Sequence, residues 1–325
     1  MAPSATFIDA EPPTVIGPAT KKATRPSSEL PQSLIQGAKV AKKEEFDPER
    51  YLNFQPPRSI YTMEQIGLKG HGISPHVASE PFPLFTQEAI AQMRAEIFDE
   101  KVLADCQYSS TFNKHMETIS LNFPRRAPFT YAAWKSPAVL EKISQVAGID
   151  LVPSFDFEIA NINISVRDEK SNVEDWVQPV SDNELPAVAW HYDSLPFVCV
   201  TMLSDCTGMG TAVVLQGRSI EHQALKALGG RERITMVTCF PPKDPLVKDE
   251  TVLVGVRRIS NLNDLYTQYT EYRLEILEER IRHQLKKERE RVIAQKPFNI
   301  AEMKRFLMNQ ELFIESMLTE IQEVD

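Results

Sequence analysis

The chain has 325 residues, of which 42% are hydrophobic and 25% charged, enough apolar material for one large domain or two small ones. Its net charge of −9 excludes a general nucleic-acid binder, which would present a basic face. The four cysteines, Cys106, Cys199, Cys206 and Cys239, form no CxxC pair, which excludes a thiolate zinc cluster and argues for a reduced compartment without a disulfide framework. No apolar run approaches the roughly 18 residues of a membrane span. The opening MAPSATFIDA lacks the basic and apolar regions of a secretory signal, so no membrane partner and a cytoplasmic location are expected.

In chain order, residues 1–57 are rich in Pro, Ala, Ser and Lys, and are expected to form a mostly disordered lead that becomes an extended arm near Phe46 to Phe54. Thr86 is placed to cap a helix that runs to Asp105, with Ile90, Met93, Ile97 and Leu103 as its apolar stripe. A clearer helix covers Ser136 to Ala147, with Ser136 as N-cap, Pro137 at the first helical position and Gly148 as the stop. From Phe155 the pattern changes to strands. FDFEIANINISV alternates, with Phe157, Ile159, Asn161 and Asn163 on one face and Glu158, Ala160, Ile162 and Ile164 on the other. Further strands are expected at 188–192, 197–203, 211–215 and 234–240, with another at 251–257. Beyond Asn261 the chain reads as helix again, amphipathic and locally neutral, with seven acidic and seven basic residues from Asp264 to Arg291. A break at Pro297 and a last helix over 300–321 follow. Helices, strands and helices in that order give an α+β fold, with a main domain over 58–260 and C-terminal helices over 261–325.

The residues that carry chemistry lie in AVAWHYDSLPFVCVTMLSDCTGMGTAVVLQGRSIEH, Ala187 to His222. Residues i and i+2 of a strand project to one face, so His191 and Asp193 aim an imidazole and a carboxylate at one point. His222 is the only histidine downstream of them inside the strand region, and completes a set of the type that holds non-haem Fe(II) with open positions. Eleven positions further, Arg233 shares a strand face with Thr235, a guanidinium fork seconded by a hydroxyl. Taken singly, the His-x-Asp is a common chance pattern and Arg233 is as well explained by a surface ion pair.

Taken together, WHYDS, VVLQGRSIEHQAL and RITMVT resemble the Fe(II)/2-oxoglutarate-dependent oxygenases, more narrowly a group from fungal secondary metabolism, over about residues 153–258. The resemblance implies a double-stranded β-helix, or jelly roll, flanked by N- and C-terminal helices. It implies that His191, Asp193 and His222 bind iron, and that Arg233 with Thr235 binds the far carboxylate of 2-oxoglutarate, Arg231 being the alternative arginine. Dioxygen and a small-molecule substrate complete the set, and the outcome is hydroxylation, desaturation or related C–H oxidation.

In that fold the His-x-Asp ends the second strand and the distal histidine lies on the seventh. Four intervening strands need about 35–45 residues. Only 28 residues, Ser194 to Glu221, are present, and they hold two strands. By their flanks these are the third and the sixth, antiparallel neighbours that SDCTGMG can join as a hairpin, so the fourth and fifth are expected to be absent. Losing that pair keeps the three ligands together but removes a wall of the pocket and bares apolar surface. Three classes of function therefore stay open. One is an oxygenase. The second is a catalytically impaired pseudo-oxygenase or interaction protein, forming homo- or hetero-oligomers through its C-terminal helices or bared sheet. The third is a cupin-type metalloenzyme that has no use for Arg233.

Overall fold

The computed structural model describes residues 13–16, 30–108, 116–118, 126–166, 188–204, 208–224, 232–258 and 260–323. The helix α1 (Gln32–Gly37) lies where a disordered lead is expected, and α2 (Pro48–Tyr51) where an extended arm is. Leu30, Leu34 and Tyr51 are buried, and Phe46 packs edge-on against the rings of Phe85 and Phe129. Burial of these side chains offsets the entropy of ordering the segment, which polar composition alone does not foresee. Residues 1–12 and 17–29 of the expected lead lie outside the described residues.

Three short strands follow: β1 (Ile60–Thr62), β2 (His76–Ser79) and β3 (Phe82–Pro83). The helix expected from Thr86 to Asp105 is two helices, α3 (Gln87–Ile97) and α4 (Glu100–Cys106). Thr86 caps the first by accepting from Ala89 N–H at 3.2 Å, and Asp99 starts the second by accepting from Lys101 N–H at 3.1 Å. Two small strands, β4 (Gln107–Tyr108) and β5 (Met116–Thr118), lead to α5 (Pro128–Lys135) and α6 (Pro137–Ala147). The buried Glu96 carboxylate accepts from Phe129 N–H and Thr130 N–H, both at 2.9 Å, and so fixes the start of α5, a helix with no strong periodic signal. Gly148, at φ 71°, ends α6 as expected.

The strands β6 (Asn161–Val166), β7 (Val188–His191), β8 (Phe197–Met202), β9 (Thr211–Leu215), β10 (His222–Ala224) and β11 (Glu232–Phe240) form the centre. Two expectations fail here. Residues 155–160 are not strand: Asp156–Glu158 is a single 3₁₀ turn and Ala160 sits at φ 55°, so the period-two alternation begins only at Asn161. Residues 251–257 are irregular, with turns over 254–258.

Nine strands make one antiparallel sheet, in the order β1-β2-β9-β8-β11-β6-β5-β4 with β3 on β9. One face, through Ile162, Ile164, Phe197, Ile234, Met236 and Phe240, packs on α3, α5 and α6 around Trp134. Strand alternation sends Val198, Leu215, Val237 and Cys239 to the other face. There they meet Leu195 and Leu253 and are covered by the helices α7 (Leu262–Ile293) and α8 (Ile300–Glu320). Among the described residues, the strands β7 and β10 pair only with each other. The described residues thus form an α+β fold with an antiparallel sheet and flanking C-terminal helices, without a closed barrel.

What ties the C-terminal helices to the sheet is a buried charge. Arg273 on α7 is fully buried, pairs with Asp249 at 2.7 Å, donates to Ser316 Oγ on α8 at 2.5 Å, and lies over the Phe313 ring at 3.5 Å. Asp249 in turn accepts from Thr251 N–H at 3.0 Å and from the Tyr272 hydroxyl at 3.1 Å. Removing one partner of such a pair strands the other charge out of water. Asp249→Ala is therefore expected to cost about 3–5 kcal/mol in denaturant unfolding and to open the α7 root to limited proteolysis. A loss within experimental error would show that Arg273 is neutralised by its other contacts.

Candidate metal centre

Two chain corners make the site. The strand β7 ends at His191, and Tyr192–Ser194 turn the chain from the two-stranded pair into the large sheet at β8. The strand β9 ends at Leu215, and Gln216–Ser219 turn it back toward β10. The corners are joined directly: Asp193 N–H donates to Gly217 O at 3.0 Å. Antiparallel pairing then sets His191 opposite His222. The second corner is anchored by Gln216, which is completely buried. Its side chain accepts from Ile73 N–H at 2.6 Å and donates to His76 O at 2.9 Å, which fixes the turn against the loop before β2.

The result is convergence of the three residues that the sequence singles out. The Nε2 atom of His191 lies 3.5 Å from Asp193 Oδ1, and the Nε2 atom of His222 lies 3.4 Å from Asp193 Oδ2. The two imidazole centroids are 4.3 Å apart, and one ligand atom from each of the three residues lies within 4.8 Å of the others. His222 Nδ1 is 3.1 Å from Ile220 O; a carbonyl only accepts, so Nδ1 carries the proton and Nε2 keeps its lone pair. Asp193 Oδ2 is buried and makes no conventional hydrogen bond. Two imidazole nitrogens and an under-used carboxylate oxygen facing one point are a donor set that suits a divalent cation. Ligands about 2.1 Å from an ion and at right angles lie about 3 Å apart, so the two His–Asp spacings of 3.5 and 3.4 Å fit with little adjustment.

Gly217 makes this geometry possible. A Cβ at that position would lie 1.8 Å from Asp193 Oδ2, well inside contact distance. The glycine sits in the LQGR run, but one sequence gives no sign of whose side chain it makes room for.

Arg233 and Thr235 are both on β11, where strand alternation puts them on the same face as Val237 and Cys239. That is the face shared with Asn161 and Asn163 of β6, since Thr235 pairs with Asn163 and Val237 with Asn161. Thr235 is buried and Arg233 half-buried. Arg231 lies outside the described residues. Of the other described histidines, His76 is committed elsewhere: its Nδ1 donates to Val146 O at 2.9 Å at the end of α6.

Sequence reasoning missed Glu158. Because the 3₁₀ turn interrupts the alternation, this side chain is buried beside Cys239 and within electrostatic reach of Asp193, with Oε1 unpartnered. Burial pushes its carboxyl up to about 8; a hydrogen bond with Cys239 opposes the rise and the Asp193 charge adds to it. Burial likewise drives the Cys239 thiol well above its ordinary value.

No protein-family model matches this chain, and no curated protein matches it. No helix among the described residues is long and apolar enough to cross a membrane.

Two outcomes are expected. Titration of Fe(II) or Co(II) under anaerobic conditions should quench the fluorescence of the exposed Trp190, the neighbour of His191, with one-site saturation. Asp193→Ala should abolish that saturation, and Gly217→Ala should weaken it at least about tenfold, or 1.4 kcal/mol, by displacing the carboxylate. Unchanged affinity in both variants would place the metal elsewhere. The second outcome concerns pH. Glu158 has a folded value of about 8 against 4.5 for the free carboxyl, so the unfolded chain loses this proton first. Its contribution to stability is present in full below about pH 4.5 and is lost as pH rises toward 8. In the metal-free protein, Glu158→Gln should flatten the fall in unfolding free energy over that window; an identical slope in the variant would mean that Glu158 ionises freely.

Proposed function

We propose that this chain is an Fe(II)/2-oxoglutarate-dependent oxygenase of the jelly-roll type, acting on a small molecule, with one wall of its barrel shortened. The observation that carries the proposal is the convergence of His191, Asp193 and His222 at paired chain corners. Two nitrogens and one carboxylate leave part of the coordination shell for other ligands, as a metal that must bind both a co-substrate and dioxygen requires.

On this reading, His191 and His222 bind iron through Nε2, and the Ile220 carbonyl holds the His222 ring in the tautomer that allows it. Asp193 supplies the negative charge, positioned by its own N–H on Gly217 O. Arg233 grips the far carboxylate of 2-oxoglutarate and Thr235 donates its hydroxyl beside it. Asn161 and Asn163 lie on the same sheet face, where they orient polar groups of substrate or co-substrate. Bound iron and 2-oxoglutarate would supply the oxidising chemistry with dioxygen as the oxidant, one oxygen atom going to succinate as CO2 leaves and the other serving to oxidise a C–H bond of the substrate. The contribution of the protein is to position the reactants and to exclude water.

A second reading, a metal-binding chain without coupled turnover, is favoured by the region between Asp193 and His222. There β8 and β9 pair directly as a hairpin, from Val198↔Leu215 to Thr201↔Ala212, closed at Gly210 N–H to Met202 O (3.0 Å). The pair that carries both histidines has two strands against nine in the large sheet. The histidine side chains remain 21% and 22% exposed, so the two rings are in part open to solvent. Weak protection of reactive intermediates leads to uncoupling.

One experiment separates these readings from each other and from a metal site of another kind. Calorimetric titration of 2-oxoglutarate into the anaerobic Fe(II) protein should show binding that Arg233→Ala weakens at least about tenfold. With oxygen admitted, succinate should form slowly and without stoichiometric substrate oxidation. Rapid, fully coupled succinate formation would show that the short wall does not limit the enzyme. Absence of 2-oxoglutarate binding to a protein that holds iron would remove the oxygenase reading altogether.

A further inference from the structure

The C-terminal hairpin has a surface that the metal site does not use. The helix α7 runs for 32 residues, about 48 Å. Its core side is Leu265, Tyr269, Tyr272 and Ile276, and α8 lies along it antiparallel, from Arg273–Ser316 near the root to Lys287–Glu302 near the tip. Leu274, Ile281, Leu285 and Val292 point elsewhere. Helical spacing puts these four within about 20° of one line, on the side away from the core. They are between 44% and 62% exposed, which is unusual for a continuous apolar stripe on a solvated helix.

The charges around the stripe are sorted. From Arg282 to Arg305, the tip of the hairpin, there are eight basic residues and three acidic ones. At its root, 264–281 with 306–323, nine acidic residues face two basic ones, and those two, Arg273 and Arg280, are buried. The hairpin is thus a rod with a positive end and a negative end on an otherwise acidic chain. The stripe is also symmetric about His283: Ile281 and Leu285 lie two positions to either side, and Leu274 and Val292 nine.

We propose that α7 is a homodimerisation arm, packing antiparallel against α7 of a second copy about a two-fold axis at His283. In that arrangement each apolar residue meets one of its own set, Leu274 against the Val292 of the other copy and Ile281 against its Leu285. Each basic tip lies over an acidic root. A two-fold interface needs a surface complementary to itself, and a rod with opposite charges at its ends satisfies this only when antiparallel. Glu278 and Arg289 flank the stripe on one side at almost equal distances from His283, which brings Glu278 of each copy to Arg289 of the other. An anionic membrane surface would attract the basic tip, but the stripe continues through Leu274 into the acidic root, which such a surface repels. A second copy satisfies both halves.

Sedimentation velocity of the full chain at micromolar concentration tests this, with circular dichroism to verify the fold of each variant. The wild-type chain should be a dimer that weakens as salt is raised. Leu285→Glu, at an exposed position, should be monomeric. Arg289→Glu should raise the dimer dissociation constant at least tenfold, and Arg289→Glu with Glu278→Arg should recover most of that loss. A monomeric wild-type chain, a dimer indifferent to Leu285→Glu, or a double variant no tighter than Arg289→Glu alone would overturn the proposal. So would flotation of the monomer with phosphatidylserine vesicles, which would assign the stripe to a membrane surface.

Discussion

The hydrogen bond from Asp193 N–H to Gly217 O joins two corners of the chain that are 24 positions apart, and the geometry of the centre follows from it. Each corner turns the chain between the large sheet and the β7–β10 pair. Holding them together sets the register in which His191 faces His222, and leaves the Asp193 carboxylate between the two rings. A glycine is required because the carboxylate fills the space that a Cβ would take. A backbone contact of this kind costs no side-chain entropy, and it is braced from behind by the buried amide of Gln216. The donors are pre-positioned by the fold rather than gathered by a ligand, which is what a site with only three protein ligands needs.

The same two corners explain how the three donors converge without a closed barrel. The hairpin between β8 and β9 spans the region where the proposed jelly roll would carry two more strands, and Gly208 (φ 105°) and Gly210 (φ 84°) take positive φ at its end. A Cβ at Gly210 would lie 2.4 Å from Phe85 O, so the turn is seated against the N-terminal layer. The large sheet carries helices on both faces. Among the described residues β7 and β10 pair only with each other, while the donor geometry is set by the corners.

Much of this was legible in the sequence where a local rule governs. Thr86 caps α3, Gly148 stops α6, and the 211–215 strand covers the TAVVL run expected of it. The His-x-Asp and the distal His222 were legible from their order along the chain, but Asp193 reaches the site from a corner just past β7 rather than by strand alternation. The illegible parts depend on contacts far apart in sequence. The segment from Leu30 to Tyr51 looks polar and Pro-rich, yet a few apolar side chains find places in the core. Glu158 was assigned to the wrong face because one residue at positive φ, Ala160, resets the alternation, and nothing in FDFEIAN announces it. What Gly217 makes room for and what Gln216 braces are shown only by the fold. The charge sorting along α7 was hidden by its zero sum: counted as a whole the helix is neutral, and only its division into ends is informative.

The central claim is that His191, Asp193 and His222 form one metal centre. Its most direct test is a crystal soaked anaerobically with Fe(II) and measured on both sides of the iron absorption edge. The account predicts a single strong anomalous peak, bounded by Nε2 of His191, Nε2 of His222 and the Asp193 carboxylate, and absent in Asp193→Ala. No peak at these residues in a crystal that has taken up iron elsewhere, or a peak that survives Asp193→Ala, would contradict it.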